Sequence, residues 1–131
     1  MPAMKSGSEG RYELQVAGAF AAAHRLRGYQ GECERLHGHN WRVEAVFGGE
    51  SLNDLGMLLD FREARRLLEE VLKQFDHCDL NQKPPFHEQN PTTENLARLV
   101  HAELSRRTPI GVRVESVTVW ESDDCGVRYR P

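Results

Sequence analysis

Residues 37–49 read His37-Gly38-His39-Asn40-Trp41-Arg42-Val43-Glu44-Ala45-Val46-Phe47-Gly48-Gly49. Trp41, Val43, Ala45 and Phe47 alternate with Arg42 and Glu44, the period of two that sends apolar side chains to one sheet face and charged ones to the other. A strand over 41–47 is therefore predicted, ended by the glycine pair. Upstream, Tyr12, Leu14, Val16 and Phe20 mark 12–26 as one long or bulged strand, although the alanines at 21–23 weaken its propensity. The intervening 28–36 then becomes the broad loop of a hairpin. Residues 1–10 are small and polar without periodicity and read as a flexible N-terminus, leaving 11–131 as a single domain.

Downstream the period changes. Phe61, Ala64, Leu67, Leu68, Val71, Leu72 and Phe75 follow steps of three and four, so a helix is predicted, with Asp60 as N-cap and Glu63 completing a capping box. Residues 78–91 form a polar connection broken by Pro84, Pro85 and Pro91. Thr92 or Thr93 can cap a second helix to about residue 106, with Leu96, Leu99, Val100 and Leu104 as its buried stripe. Residues 112–121 and 126–129 read as two strands around a turn. The order strand, strand, helix, helix, strand, strand describes an α+β domain, a four-stranded antiparallel sheet with two helices on one face.

A chain of 131 residues supports one core, and a formal net charge of -3 gives no basic field for nucleic acid. No apolar stretch approaches a bilayer span and the first ten residues lack a signal-peptide core, so a cytoplasmic location away from membranes is expected. Cys33, Cys78 and Cys125 include no C-x-x-C pair and do not suggest a disulfide framework.

The chemistry gathers around the hairpin loop. His37 and His39 share a strand face, and Gly38 permits close backbone approach. His24, at the end of the preceding strand, can add a third imidazole; half of the six histidines fall within these sixteen positions. Three histidines with a fourth position open are the donor set of a catalytic zinc. Cys33, four residues before His37, is placed to be a reactive thiol; the alternative is a closed structural site in which it is a fourth ligand. In Asp76-His77 a carboxylate can orient an imidazole that moves protons, or the pair is an ordinary helix end. Glu121 taken alone is a solvated carboxylate.

Together, Phe20-Ala-Ala-Ala-His24, Cys33-x-x-x-His37-Gly38-His39-Asn40, Asp60-Phe61, Asp76-His77, Leu80-Asn81, Pro91-Thr92-Thr93-Glu94-Asn95 and Trp120-Glu121 resemble the 6-pyruvoyltetrahydropterin synthase family over nearly the whole chain. The gap of three residues between Cys33 and His37 is most similar to the branch that makes 6-carboxy-5,6,7,8-tetrahydropterin for queuosine. The resemblance implies a tunnelling fold that oligomerises into a barrel, as a hexamer or tetramer with active sites at subunit interfaces. It implies a lyase that converts 7,8-dihydroneopterin triphosphate to 6-carboxytetrahydropterin, acetaldehyde and triphosphate. It implies zinc on His24, His37 and His39, and Cys33 as proton acceptor. Asp76 and His77 become a charge relay in which Glu121 takes part, and Thr92, Thr93, Glu94 and Glu121 hold the pterin. Arg25, Arg27 and Arg35 are candidates for the triphosphate by proximity in sequence. A 6-pyruvoyltetrahydropterin synthase and a non-catalytic zinc-containing pterin-binding protein remain as alternatives.

Overall fold

A computed structural model describes residues 10–131. The flexible start expected for residues 1–10 lies, apart from Gly10, outside the described residues. The two hairpin strands are β1 (Tyr12–His24) and β2 (His37–Gly49), paired antiparallel from Tyr12↔Gly49 to His24↔His37. Strand β2 begins at His37, four residues earlier than the apolar alternation predicts, and β1 ends at His24, two residues short of the expected limit. The alanines at 21–23 remain strand because β2 supplies a facing ladder on every residue, and tertiary pairing outweighs weak local propensity.

Helix α1 spans Phe61–Leu72, and Asp60 caps it by accepting the Arg62 N–H at 2.7 Å. Glu63 instead turns outward to Arg66, so its carboxylate serves a surface ion pair rather than the capping box. Phe61 is 60% exposed and does not join the buried stripe of Ala64, Leu67, Leu68, Val71 and Leu72. Phe75 is buried from the turn beyond the helix. Helix α2 spans Thr93–Arg107, with Thr92 as its N-cap accepting the Asn95 N–H at 3.1 Å.

The connection after α1 holds an unpredicted strand, β3 (Cys78–Asp79), parallel to β1 at Ala22 and Ala23. Two residues are too few to show a period. Strands β4 (Arg113–Trp120) and β5 (Gly126–Tyr129) complete a five-stranded sheet in the order β3-β1-β2-β4-β5, antiparallel except at β3. Between the pairs Val46↔Ser116 and Phe47↔Val114, β4 carries one extra residue, Glu115, as a bulge.

One sheet face presents Val16, Phe20, Ala22, Trp41, Val43, Ala45, Phe47, Val117 and Val119 to the apolar stripes of α1 and α2. Each fully buried large side chain here contributes roughly 1.5–3 kcal/mol. At the end of the hairpin next to the broad loop, the same face changes character: beyond Trp41 and Ala22 it carries His39, His37 and His24. Among the described residues no helix is long and apolar enough to cross a membrane.

Candidate metal centre and adjoining carboxylate

Strand register builds the cluster. His24 lies opposite His37, Ala22 lies opposite His39, and alternation points all three imidazoles to the helix-covered face. Ring centroids are 4.6 Å apart for His24–His37, 4.8 Å for His37–His39 and 5.2 Å for His24–His39, with one ligand atom from each ring within 4.8 Å of the others. Trp41 floors the cluster, edge-on to His24 and His39, and is fixed by donating its indole N–H to the Ala22 carbonyl at 3.2 Å.

Backbone carbonyls set the ring tautomers. The Nδ1 of His24 lies 2.8 Å from the Pro91 oxygen and that of His37 lies 2.7 Å from the Arg35 oxygen, so each Nδ1 carries the proton and each Nε2 keeps its lone pair. His24 is 1% exposed, and the Nε2 atoms of His24 and His39 are buried without a hydrogen-bond partner. Buried orphan acceptors are costly unless something occupies them. Burial holds the pKa of both His24 and His39 below the ordinary histidine value, opposed by the Pro91 carbonyl at His24 and by Glu121 at His39. Neutral imidazoles with converging lone pairs fit a metal ion. Among the described residues the metal-binding group consists of these three histidines, without Cys33, which does not support the closed four-ligand site.

Glu121 follows β4 directly. Its Oε2 is 3.4 Å from His39 Nε2, a contact without hydrogen-bond geometry, and its Oε1 accepts the Thr93 hydroxyl at 3.1 Å. The structure thus brings Thr93, at the first turn of α2, onto the carboxylate beside the histidines. Thr92 is engaged as the helix cap, and Glu94 is exposed on the first turn.

Asp76 and His77 belong elsewhere. Asp76 accepts the Ala21 N–H at 2.9 Å, the Ala21 carbonyl accepts the His77 N–H at 2.6 Å, and His77 Nδ1 lies 3.1 Å from Asp76 Oδ2. The backbone donor lowers the Asp76 pKa first, and His77 assists. His77 has a φ of 59°, the left-handed region that non-glycine residues seldom occupy, and its side chain is 83% exposed. It lines a cleft of about 390 Å³ with Ala21, Ala23, Gly38, His39 and Asn40 among others. Ala21, Ala23, Gly38 and Asn40 alternate with Ala22, His24, His37 and His39, so His77 opens mainly onto the sheet face opposite the imidazoles, with His39 alone of the three reaching the same cleft.

Cys33 sits in a single 3₁₀ turn, Glu32–Glu34, half-buried, with its carbonyl accepting the Leu26 N–H at 2.8 Å. Of the three basic candidates, Arg27 is already committed, its guanidinium donating to the Phe86 carbonyl at 2.8 Å, whereas Arg25 and Arg35 are exposed. Sequence reasoning missed the Pro91 carbonyl and the Thr93–Glu121 bond. Both join positions far apart in the chain, and only the motif Pro91-Thr92-Thr93 hinted at them.

Residues 13–131 match the family model described as 6-pyruvoyl tetrahydropterin synthase. The chain is 34% identical over 111 residues to a putative 6-carboxy-5,6,7,8-tetrahydropterin synthase of Archaeoglobus fulgidus, spanning 85% of this chain and 89% of that protein. It is 33% identical over 109 residues to a dihydroneopterin monophosphate aldolase of Pyrococcus furiosus, with 83% and 89% covered. In structure it superposes on the 6-pyruvoyl tetrahydropterin synthase of Caenorhabditis elegans with a TM-score of 0.81 at 24% identity, over 93% of this chain and 96% of that one.

Proposed function

Because the chain belongs to the 6-pyruvoyl tetrahydropterin synthase family of pterin-processing enzymes, we propose that it converts 7,8-dihydroneopterin triphosphate and one water to 6-carboxy-5,6,7,8-tetrahydropterin, releasing acetaldehyde and triphosphate. The observation that carries the reading is the three-histidine cluster with unpartnered Nε2 atoms, set against the Thr93-held carboxylate of Glu121. A zinc ion held by His24, His37 and His39 would supply Lewis acidity toward the side-chain hydroxyls of the substrate.

The chain's own residues do the rest. A pterin presents a ring N–H and an amino group side by side, and a carboxylate accepts such a pair in bidentate fashion. Each oxygen of Glu121 has two lone pairs, so the Thr93 hydroxyl bond leaves both oxygens able to accept. Cys33, on the loop between β1 and β2, is assigned the proton removal. Asp76 orients His77 through Nδ1 and serves as the relay of a neighbouring subunit's site, since it faces mainly away from the histidines of its own. Thr92 and Glu94 contribute through the helix end they build. Arg25 and Arg35 are the exposed cations left for the phosphates. A homo-oligomer of four or six subunits, a cytoplasmic location and a place in queuosine-type deazapurine synthesis belong to this reading.

The Pyrococcus furiosus relative, a dihydroneopterin monophosphate aldolase at 33% identity, supports a second reading, aldol cleavage of a dihydroneopterin monophosphate. The products separate the two. Incubation of the zinc-loaded protein with 7,8-dihydroneopterin triphosphate is expected to yield acetaldehyde and free triphosphate. A phosphorylated two-carbon aldehyde from the monophosphate would instead establish aldol cleavage, and no turnover of either would leave a pterin-binding protein. Cys33→Ala is expected to keep its zinc and lose ~10²–10⁴ in rate, the usual cost of removing a general base. Full activity without the thiol would remove Cys33 from the mechanism.

A further inference from the structure

Beyond β1 the main chain keeps the alternating hydrogen-bonding directions of a strand, with side chains and a loop in place of neighbouring strands. Asn81 Oδ1 accepts the Arg25 N–H at 2.8 Å, and its Nδ2 donates to the Arg25 carbonyl at 3.1 Å. Asn90 repeats the pattern two residues on, accepting the Arg27 N–H at 2.9 Å and donating to the Arg27 carbonyl at 3.0 Å. Between them Leu26 faces the other way, and its N–H goes to the Cys33 carbonyl. A side-chain amide offers a donor and an acceptor side by side on one planar group, as a facing peptide would.

Both asparagines are themselves held. Asn81 is 8% exposed and its N–H donates to Asp79 Oδ1 at 3.0 Å, while the Asn90 carbonyl accepts Asn95 Nδ2 at 2.8 Å. Pro91, the next residue, holds the His24 ring. One segment therefore fixes a metal-ligating imidazole through a carbonyl and the base of the Cys33 loop through two amides.

We propose that Asn81 and Asn90 are positioning residues that clamp the 25–27 backbone, and thereby set where Cys33 stands relative to the three histidines. The inference rests on the role proposed above for Cys33. Misplacing a reacting group by about 1 Å can cost ~10²-fold in rate, so the clamp should be read in turnover before it is read in folding.

The test uses the full-length, zinc-loaded protein and its Asn90→Ala and Asn81→Ala variants. Steady-state turnover of 7,8-dihydroneopterin triphosphate is measured beside zinc content and site-resolved alkylation of the three cysteines by iodoacetamide. Expected are a kcat lower by ~10–10²-fold with KM and zinc unchanged. Alkylation of Cys33 should rise about thirtyfold, the factor for losing two net hydrogen bonds, with Cys78 and Cys125 as references. An unchanged kcat in the active enzyme overturns the proposal, as does an unchanged Cys33 or a parallel rise at all three thiols, which would signal general loosening. Should either alanine variant fail to fold, Asn90→Asp, which keeps the acceptor for the Arg27 N–H and loses the donor, carries the same readouts. If the unaltered protein turns over neither pterin phosphate, the proposed function fails, and the alkylation pattern alone decides the clamp.

Discussion

His24 and His39 are held in the form a metal needs before any metal arrives. Burial is the leading cause at both, and it places their folded-state pKa below the ordinary 6.5. Below pH 6.5 the unfolded chain therefore binds protons that the folded chain refuses, so stability falls as the pH drops from 6.5 through the folded values and is at its full level above 6.5. The expected result is that chelator-treated protein melts progressively lower as the pH is taken below 6.5, and that His24→Gln flattens this dependence. A melting temperature independent of pH through that range would show that these imidazoles are freely protonated in the folded protein. Zinc should raise the melting temperature and steepen this dependence, because it keeps unprotonated in the folded chain the lone pairs that the unfolded chain protonates.

At the scale of elements, the β4–β5 turn shows how a strand end is aimed. Trp120 donates its indole N–H to Glu44 at 3.3 Å, and a Cβ built on Gly126, its partner across the ladder, would come within 2.6 Å of the indole ring. Only the missing side chain lets β5 lie against that ring, and Glu121 is the next residue along. Gly126→Ala is expected to destabilise the fold by about 1–3 kcal/mol, the range for overpacking, and to weaken pterin binding by displacing Glu121. Denaturant unfolding and pterin titration measure the two effects, and wild-type values in both would place the ring elsewhere. Helix α1 and strand β2 were legible in sequence because each keeps one period long enough to be recognised. Strand β3 was not, since two residues carry no period, and Phe61 fits a helical stripe that the helix leaves in solvent. The histidine triad was legible because it lies on a single hairpin. The partners that hold it were not: Thr93 and Glu121 are 28 residues apart, and Arg27 and Asn90 are 63.

Among the described residues, one of the two longest strands of the molecule is left with an open edge. Strand β1 has 13 residues, and β3 pairs only with Ala22 and Ala23, so its earlier residues present an open sheet edge on that side among the described residues. The other edge is β5, only four residues long. Open edges invite pairing with further chains, and closing a ring of subunits removes them. The same closure would answer the separation of the site's parts, because His77 opens mainly onto the sheet face opposite His24 and His37 of its own chain. If the relay of one subunit serves the metal centre of the next, two inactive variants can repair one another. Cys33→Ala and His77→Ala proteins, unfolded together in equal amounts and refolded, should regain turnover. With random assembly about a quarter of the shared sites receive Cys33 from one variant and His77 from the other. Differently tagged subunits must co-purify to show that mixed assemblies form. Recovery of about a quarter of normal activity would place the site across the interface, and mixed assemblies that stay inactive would confine it to one chain.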